Sequence, residues 1–213
     1  MVKYRGGANM SSIDMNRFIA LAKKHCDVVD TIFEIGSLNG EDSLLFKRNF
    51  PTADVYAFEG LPENYNLYIE NFSKINSFNK VIFNYDGDII FHKKNINGIH
   101  GVFDRGSLYG TDIVNLNCYR LDSVCDDLSI DHIDMIKIDV EGATYEVLEG
   151  MGKLLSTVKI MHIETEDYPF FKGQKLDDEV KEFLLEHKFS IIDKSSCLIS
   201  DNNFQFDSVW VKV

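Results

Sequence analysis

The chain has 213 residues, 45% of them hydrophobic and 26% charged, with 22 basic against 34 acidic residues and a formal net charge of −12. That length suits one domain able to bury roughly 70% of its unfolded surface, and no apolar run approaches the ~20 residues of a membrane span. The acidic balance argues against a grip on a phosphate backbone, which needs a basic face, so nucleic acid is not the expected partner.

Residues 1–12, MVKYRGGANMSS, lack the apolar core of a secretory signal, and a cytoplasmic location is expected. Residues 10–26 read as an amphipathic helix opened by Ser11 or Ser12 and laid over a sheet. A strand at 31–35, a helix at 41–49 and a strand at 54–58 follow. Residues 62–75 start with proline and carry helical apolar spacing. KVIFNYDGDIIFH, residues 80–92, places Asp86-Gly87 between two β-rich runs, which predicts a hairpin. Residues 93–111 form a long loop rich in glycine, asparagine and basic residues, a length that in a compact domain points to function.

A strand at 114–119 and a short helix at 121–128 come next, then a strand at 134–140, a helix at 144–155, a strand at 158–163 and a helix at 177–187. Two final β runs, 189–193 and 204–213, are joined by a link too short for a crossover, so they pair antiparallel. Strands alternating with helices predict an α/β fold: a mostly parallel sheet with helices on both faces, closed by a C-terminal antiparallel hairpin. The whole chain, 1–213, reads as a single domain. Cys26, Cys118, Cys125 and Cys197 are scattered without a C-x-x-C pair, so neither zinc nor a disulfide framework is expected.

Two stretches carry chemistry. TIFEIGSLNG, residues 31–40, runs a strand into an acid and two glycines, Glu34, Gly36 and Gly40, ahead of a helix. Glycines allow close backbone approach, and a helix start offers unpaired N–H groups. The next strand ends in Glu59, placed to accept hydrogen bonds from ribose hydroxyls. The spacing E-x-G-x-x-x-G departs from the G-x-G-x-x-G of dinucleotide sites and looks like the first motif of S-adenosylmethionine-dependent methyltransferases. The second stretch is IKIDVEGATYEVLEG, residues 136–150, preceded by YRLDSV and followed by IMHIE.

Together these blocks resemble the FkbM family of S-adenosylmethionine-dependent methyltransferases, over residues 31–193. The resemblance implies a Rossmann-like class I methyltransferase that methylates a hydroxyl of a small molecule, a sugar or a natural product. Two alternatives stay open: a nucleic-acid 2′-O-methyltransferase, and a non-catalytic binding module on the same scaffold. Gly60 stands where members usually have proline, and the parallel strand that usually precedes the Asp-Gly turn is not recognisable in SFNKVIFN.

Motif and physics together assign Glu34, Gly36, Ser37, Asn39 and Gly40 to the cofactor turn and Glu59 to the ribose. Asn84 and Tyr85 are the candidates for the adenine side, and Asp139 is expected to meet the acceptor or the amino group of the cofactor. Asp139, Glu141, His162 and Glu164 end adjacent strands, where ligands bind in open α/β sheets, and are the catalytic candidates. His162 could act as base, its ordinary pKa lying near neutrality, though a packed histidine explains it equally well. Asp139, Glu141 and Glu164 are hard oxygen donors that could hold Mg²⁺, yet strand-end carboxylates are common without metal and none is expected. Arg105, Tyr109 and Tyr168, with Phe103, Phe170 and Phe171 nearby in sequence, are the acceptor-site candidates.

Overall fold

A computed structural model describes residues 13–70, 72–95, 98–106, 110, 112–200 and 202–213 of the chain. Helix α1 (Met15–His25) is capped by Asp14, whose carboxylate accepts the Arg17 N–H at 2.8 Å; the expected serine caps lie outside the described residues. Strand β1 (Thr31–Ile35), helix α2 (Glu41–Asn49) and strand β2 (Asp54–Glu59) form the first βαβ unit. Then come the short α3 (Pro62–Asn64), a π turn (Tyr65–Ile69), and strands β3 (Asn76–Asn79), β4 (Val81–Phe83), β5 (Gly87–Lys93) and β6 (Asp112–Arg120). The C-terminal half holds α4 (Leu121–Leu128), β7 (Met135–Ile138), α5 (Thr144–Gly150), a 3₁₀ turn (Gly152–Ser156), β8 (Ile160–Glu166), α6 (Asp177–Glu186), β9 (Phe189–Ser200) and β10 (Asn203–Lys212).

The main sheet has seven strands in the order β3-β2-β1-β7-β8-β10-β9. Pairs from β3 through β8 are parallel, and β10 pairs antiparallel with both β8 and β9, the terminal hairpin read from the short link. Because alternate residues of a strand face opposite sides, β7 sends Ile136 and Ile138 to one core, with Val147, Leu148 and Leu184 of α5 and α6. It sends Met135 to the other, with Phe18 of α1 and Phe46 of α2. Helices therefore cover both faces. No helix among the described residues is long and apolar enough to cross a membrane.

Three expectations need correction. Residues 62–75 are not one helix: α3 and the π turn end at Ile69, and Asn76–Asn79 pairs parallel with β2. That is the edge strand missing from the sequence reading, too short and polar to show in the residue pattern. Second, Asp86-Gly87 closes no hairpin, since β4 and β5 lie on either side of β6 in a separate small sheet. Asp86 instead anchors that turn, accepting the Arg120 N–H at 2.8 Å and the Ser123 hydroxyl at 2.7 Å. Third, the helix expected over 144–155 breaks into α5 and the 3₁₀ turn.

Candidate active site

The turn after β1 is built by backbone. Gly36 has φ of +85°, and a Cβ there would overlap the carbonyl oxygen of Asp139. The N–H groups of Gly36 and Ser37 both donate to the Phe58 carbonyl, at 2.9 and 3.0 Å, which ties the turn to the end of β2. Asn39 caps locally, its side-chain oxygen accepting the Glu41 N–H at 3.1 Å, and Gly40 takes the left-handed conformation that starts α2. The hydroxyl of Ser37 is buried without a hydrogen-bond partner among the described residues.

Glu59, at the end of β2, is buried and braces both sides of the cleft mouth. One carboxylate oxygen accepts the Leu38 N–H at 2.9 Å and the other the Leu61 N–H at 3.0 Å. Burial pushes its pKa up, while these hydrogen bonds pull it down. Gly36, Leu38, Glu59, Val81, Asp139 and Glu141 are among the residues lining one cleft of about 700 Å³, mouth included, a size suited to a cofactor. Gly60, in place of proline, lets Val81 pack in: a Cβ there would stand 3.0 Å from its side chain.

Glu34 lies beneath the turn rather than in the cleft. It is buried, accepts a hydrogen bond from the Ser43 hydroxyl, and has its pKa pushed up to about 7, chiefly by burial against the pull of Lys137. Sheet register sets Glu34, Lys137 and His162 side by side on β1, β7 and β8. The Lys137 ammonium reaches Asp42 at 2.7 Å, Asp139 at 3.3 Å and Glu34 at 3.5 Å.

Asp139 is fixed by its backbone, whose N–H donates to the Ile35 carbonyl at 2.9 Å. Its carboxylate, with those of Glu141 and Glu164, forms a group whose oxygens lie within 4.8 Å of one another. Glu141 has φ of +51°, and burial, then the charge of Asp139, raises its pKa to about 8 despite Arg105. Glu164 is raised for the same first reasons, and Glu166, bonded to Gln174 at 2.8 Å, is raised to about 7 by burial. Such carboxylates are spaced to share a proton or to take up a hard cation. Arg105 arrives from the 93–110 region, its guanidinium 3.1 Å from Glu141 and 5.0 Å from the ring centre of Phe171.

Several expected residues sit elsewhere. His162 is enclosed in the α1-side core, its ring 5.4 Å from that of Phe18 and both nitrogens without a hydrogen-bond partner among the described residues. Burial, reinforced by Lys137, lowers its pKa to about 4, and the ring is packed against Phe18 rather than lining the cleft. Asn84 bonds Glu149 at 2.9 Å and Tyr85 is exposed, both outside the cleft; Lys80, Val81 and Ile82 line it instead. Tyr168 is exposed, its ring 5.4 Å from that of Phe170, which in turn lies 5.9 Å from Arg105. Tyr109 lies outside the described residues. Sequence reasoning missed Lys94, whose side chain is 1% exposed; a lone lysine in a loop carries no signal. It also missed Glu166, which a strand run three residues further would have brought in.

A model of the methyltransferase FkbM domain matches residues 34–191. The chain belongs to the FkbM methyltransferase family. It is 26% identical over 181 residues to the 2-O-methyltransferase NoeI of Sinorhizobium fredii, covering 77% of this chain and 74% of that protein. It is 26% identical over 152 residues to the hexuronic acid methyltransferase AglP of Haloferax volcanii, covering 68% and 60%. Among solved structures, magnesium protoporphyrin IX methyltransferase of Synechocystis with bound S-adenosylmethionine shares the fold, with a TM-score of 0.52 and 11% identity, over 93% of this chain and 78% of that one. The fold is that of class I methyltransferases, and the FkbM family uses S-adenosylmethionine, the cofactor expected from the turn.

Proposed function

We propose that this chain transfers a methyl group from S-adenosylmethionine to a hydroxyl of a small molecule, a sugar or a sugar-like acceptor. The observation that carries the reading is the convergence on one cleft of the Gly36 turn, Glu59 and the carboxylates at the end of β7. The named activities of NoeI and AglP support a sugar-class acceptor.

The residues fit the cofactor. Gly36 leaves no side chain over the turn, Glu59 presents a carboxylate at the cleft wall for ribose hydroxyls, and Asp139 stands beside Gly36 for the ammonium of the amino-acid end. When bound, S-adenosylmethionine supplies an electrophilic methyl group on a positively charged sulfur. The protein orients the acceptor hydroxyl for in-line attack, and its proton passes into the proton-sharing carboxylate group of Asp139, Glu141 and Glu164, entered from the cleft at Asp139 and Glu141. Arg105, paired with Glu141, sets which oxygen of that carboxylate faces the acceptor. No metal ion is required in this scheme.

Calorimetry with S-adenosylmethionine and S-adenosylhomocysteine tests the cofactor site. Micromolar binding by the wild type, weakened at least tenfold in Glu59→Ala, is expected. Absence of binding by the wild type overturns the reading in favour of a non-catalytic scaffold.

A further inference from the structure

We propose that Lys137 is a positioning residue for the cofactor, holding the Asp139 carboxylate in place beside the Gly36 turn. The inference rests on the cofactor reading above and adds a role for a side chain outside the cleft.

Strand β7 runs at the centre of the main sheet between β1 and β8. Its other residues, Met135, Ile136 and Ile138, are fully buried and apolar. A lysine there loses its hydration, which costs several kcal/mol unless ion pairs replace the lost water. Lys137 has three partners from three elements: Glu34 of β1, Asp42 in the first turn of α2, and Asp139 just past β7.

The geometry separates two roles for this ammonium. If it only neutralised the buried Glu34, it would lie closest to that carboxylate. It lies closest to Asp42 and Asp139 instead, whose side chains are 31% and 36% exposed and have water as an alternative. The ammonium therefore bridges three carboxylates, Asp139 at the cleft among them, rather than serving Glu34 alone. Asp139 is held twice, by its backbone on Ile35 and by its carboxylate on Lys137. Without the ammonium, that carboxylate loses its cationic partner beside Glu141 and Glu164, whose oxygens lie within 4.8 Å, and is free to take a rotamer turned away from the turn. Asp42 carries the same link into α2, so the turn, the helix start and Asp139 move as one unit. His162, the neighbour on β8, adds no competing charge because it stays neutral.

A double-mutant cycle on the full chain, read as S-adenosylmethionine affinity by calorimetry, tests this. Lys137→Met and Asp139→Asn are each expected to weaken binding about tenfold or more. The double variant should be no more than about threefold weaker than Asp139→Asn, because Lys137 acts through Asp139. Effects that multiply, or wild-type affinity in Lys137→Met, overturn the proposal. Wild-type protein that fails to bind S-adenosylmethionine overturns the cofactor reading itself, a distinct result. Should Lys137→Met fail to fold by circular dichroism, Glu34→Gln/Lys137→Met compared with Glu34→Gln replaces that arm, since glutamine removes the buried charge. Equal affinity in that pair also overturns the proposal.

Discussion

Glu34, Lys137 and His162 stand in one row across β1, β7 and β8, yet burial acts differently on each. The acid keeps its proton to about pH 7 because it is buried, and the histidine stays neutral to about pH 4 for the same reason. The lysine remains charged because three carboxylates offset its desolvation. For His162 the consequence is measurable. Its folded pKa lies below the ordinary value of about 6.5, so the unfolded chain takes up the proton first as pH falls. Folding stability from this group is present above pH 6.5 and is lost progressively down to about pH 4. Urea titrations of the wild type and His162→Leu should diverge across that window by up to about 3 kcal/mol, with the wild type losing more. Parallel pH dependences would show that the ring is already protonated or solvated in the folded protein.

At the scale of the element, the described part of the 93–110 region is held by a buried lysine. Lys94 donates to the Asp104 carboxylate at 3.0 Å and to the carbonyls of Gly106 and Gly110, both at 3.2 Å. Arg105 is thereby fixed between two clamped residues and delivered to Glu141. The same stretch is tied to the 167–175 segment, where the Lys172 N–H donates to the Asp104 carbonyl at 3.0 Å. Asp104→Ala should release the clamp and raise the acceptor KM about tenfold, a cost typical of lost positioning, with S-adenosylmethionine affinity unchanged. Arg105→Ala should do the same. Steady-state kinetics with an acceptor found by a sugar screen checks both; a matching loss of cofactor affinity would place the effect in the cofactor turn instead.

Across the whole molecule, the seven-stranded sheet joins the glycine turn at the end of β1 to the C-terminal hairpin, and Trp210 of β10 is buried in the core shared with α5 and α6. We expect one cooperative unfolding transition, with Trp210 fluorescence and far-UV circular dichroism superposing. Ligand that binds only the folded chain adds stability by mass action, about 2.7 kcal/mol at 100 times its Kd. S-adenosylhomocysteine at that excess should raise Tm by roughly 5–10 °C. Separate transitions for the two probes would divide the chain into independent units, and an unmoved Tm would count against cofactor binding.

How much of this was legible in the residues follows from what each signal requires. β1, α2 and α4 have the bounds expected, because apolar runs and glycine breaks are local events that neighbouring sequence encodes. The blocks around Gly36 and Asp139 likewise identify the family, since turn geometry and motif spacing are properties of contiguous chain. β3 was not legible, being four residues of mixed polarity made a strand by pairing with β2. The Asp86-Gly87 turn misled because its local chemistry suits a hairpin, while contacts with Arg120 and Ser123, more than thirty residues away, decide its use. His162 read equally as a base or as a packed ring, and the packing of Phe18 shows what covers it. By itself, then, the sequence determined the family, the glycine turn after β1 and the mostly parallel α/β fold with its terminal hairpin. Only the tertiary structure decided which charged groups meet: Lys137 with Asp139, Lys94 with Asp104, Arg105 with Glu141. The physical reason is that charge pairing, burial and the pKa values they set depend on distances through space, which chain spacing does not encode.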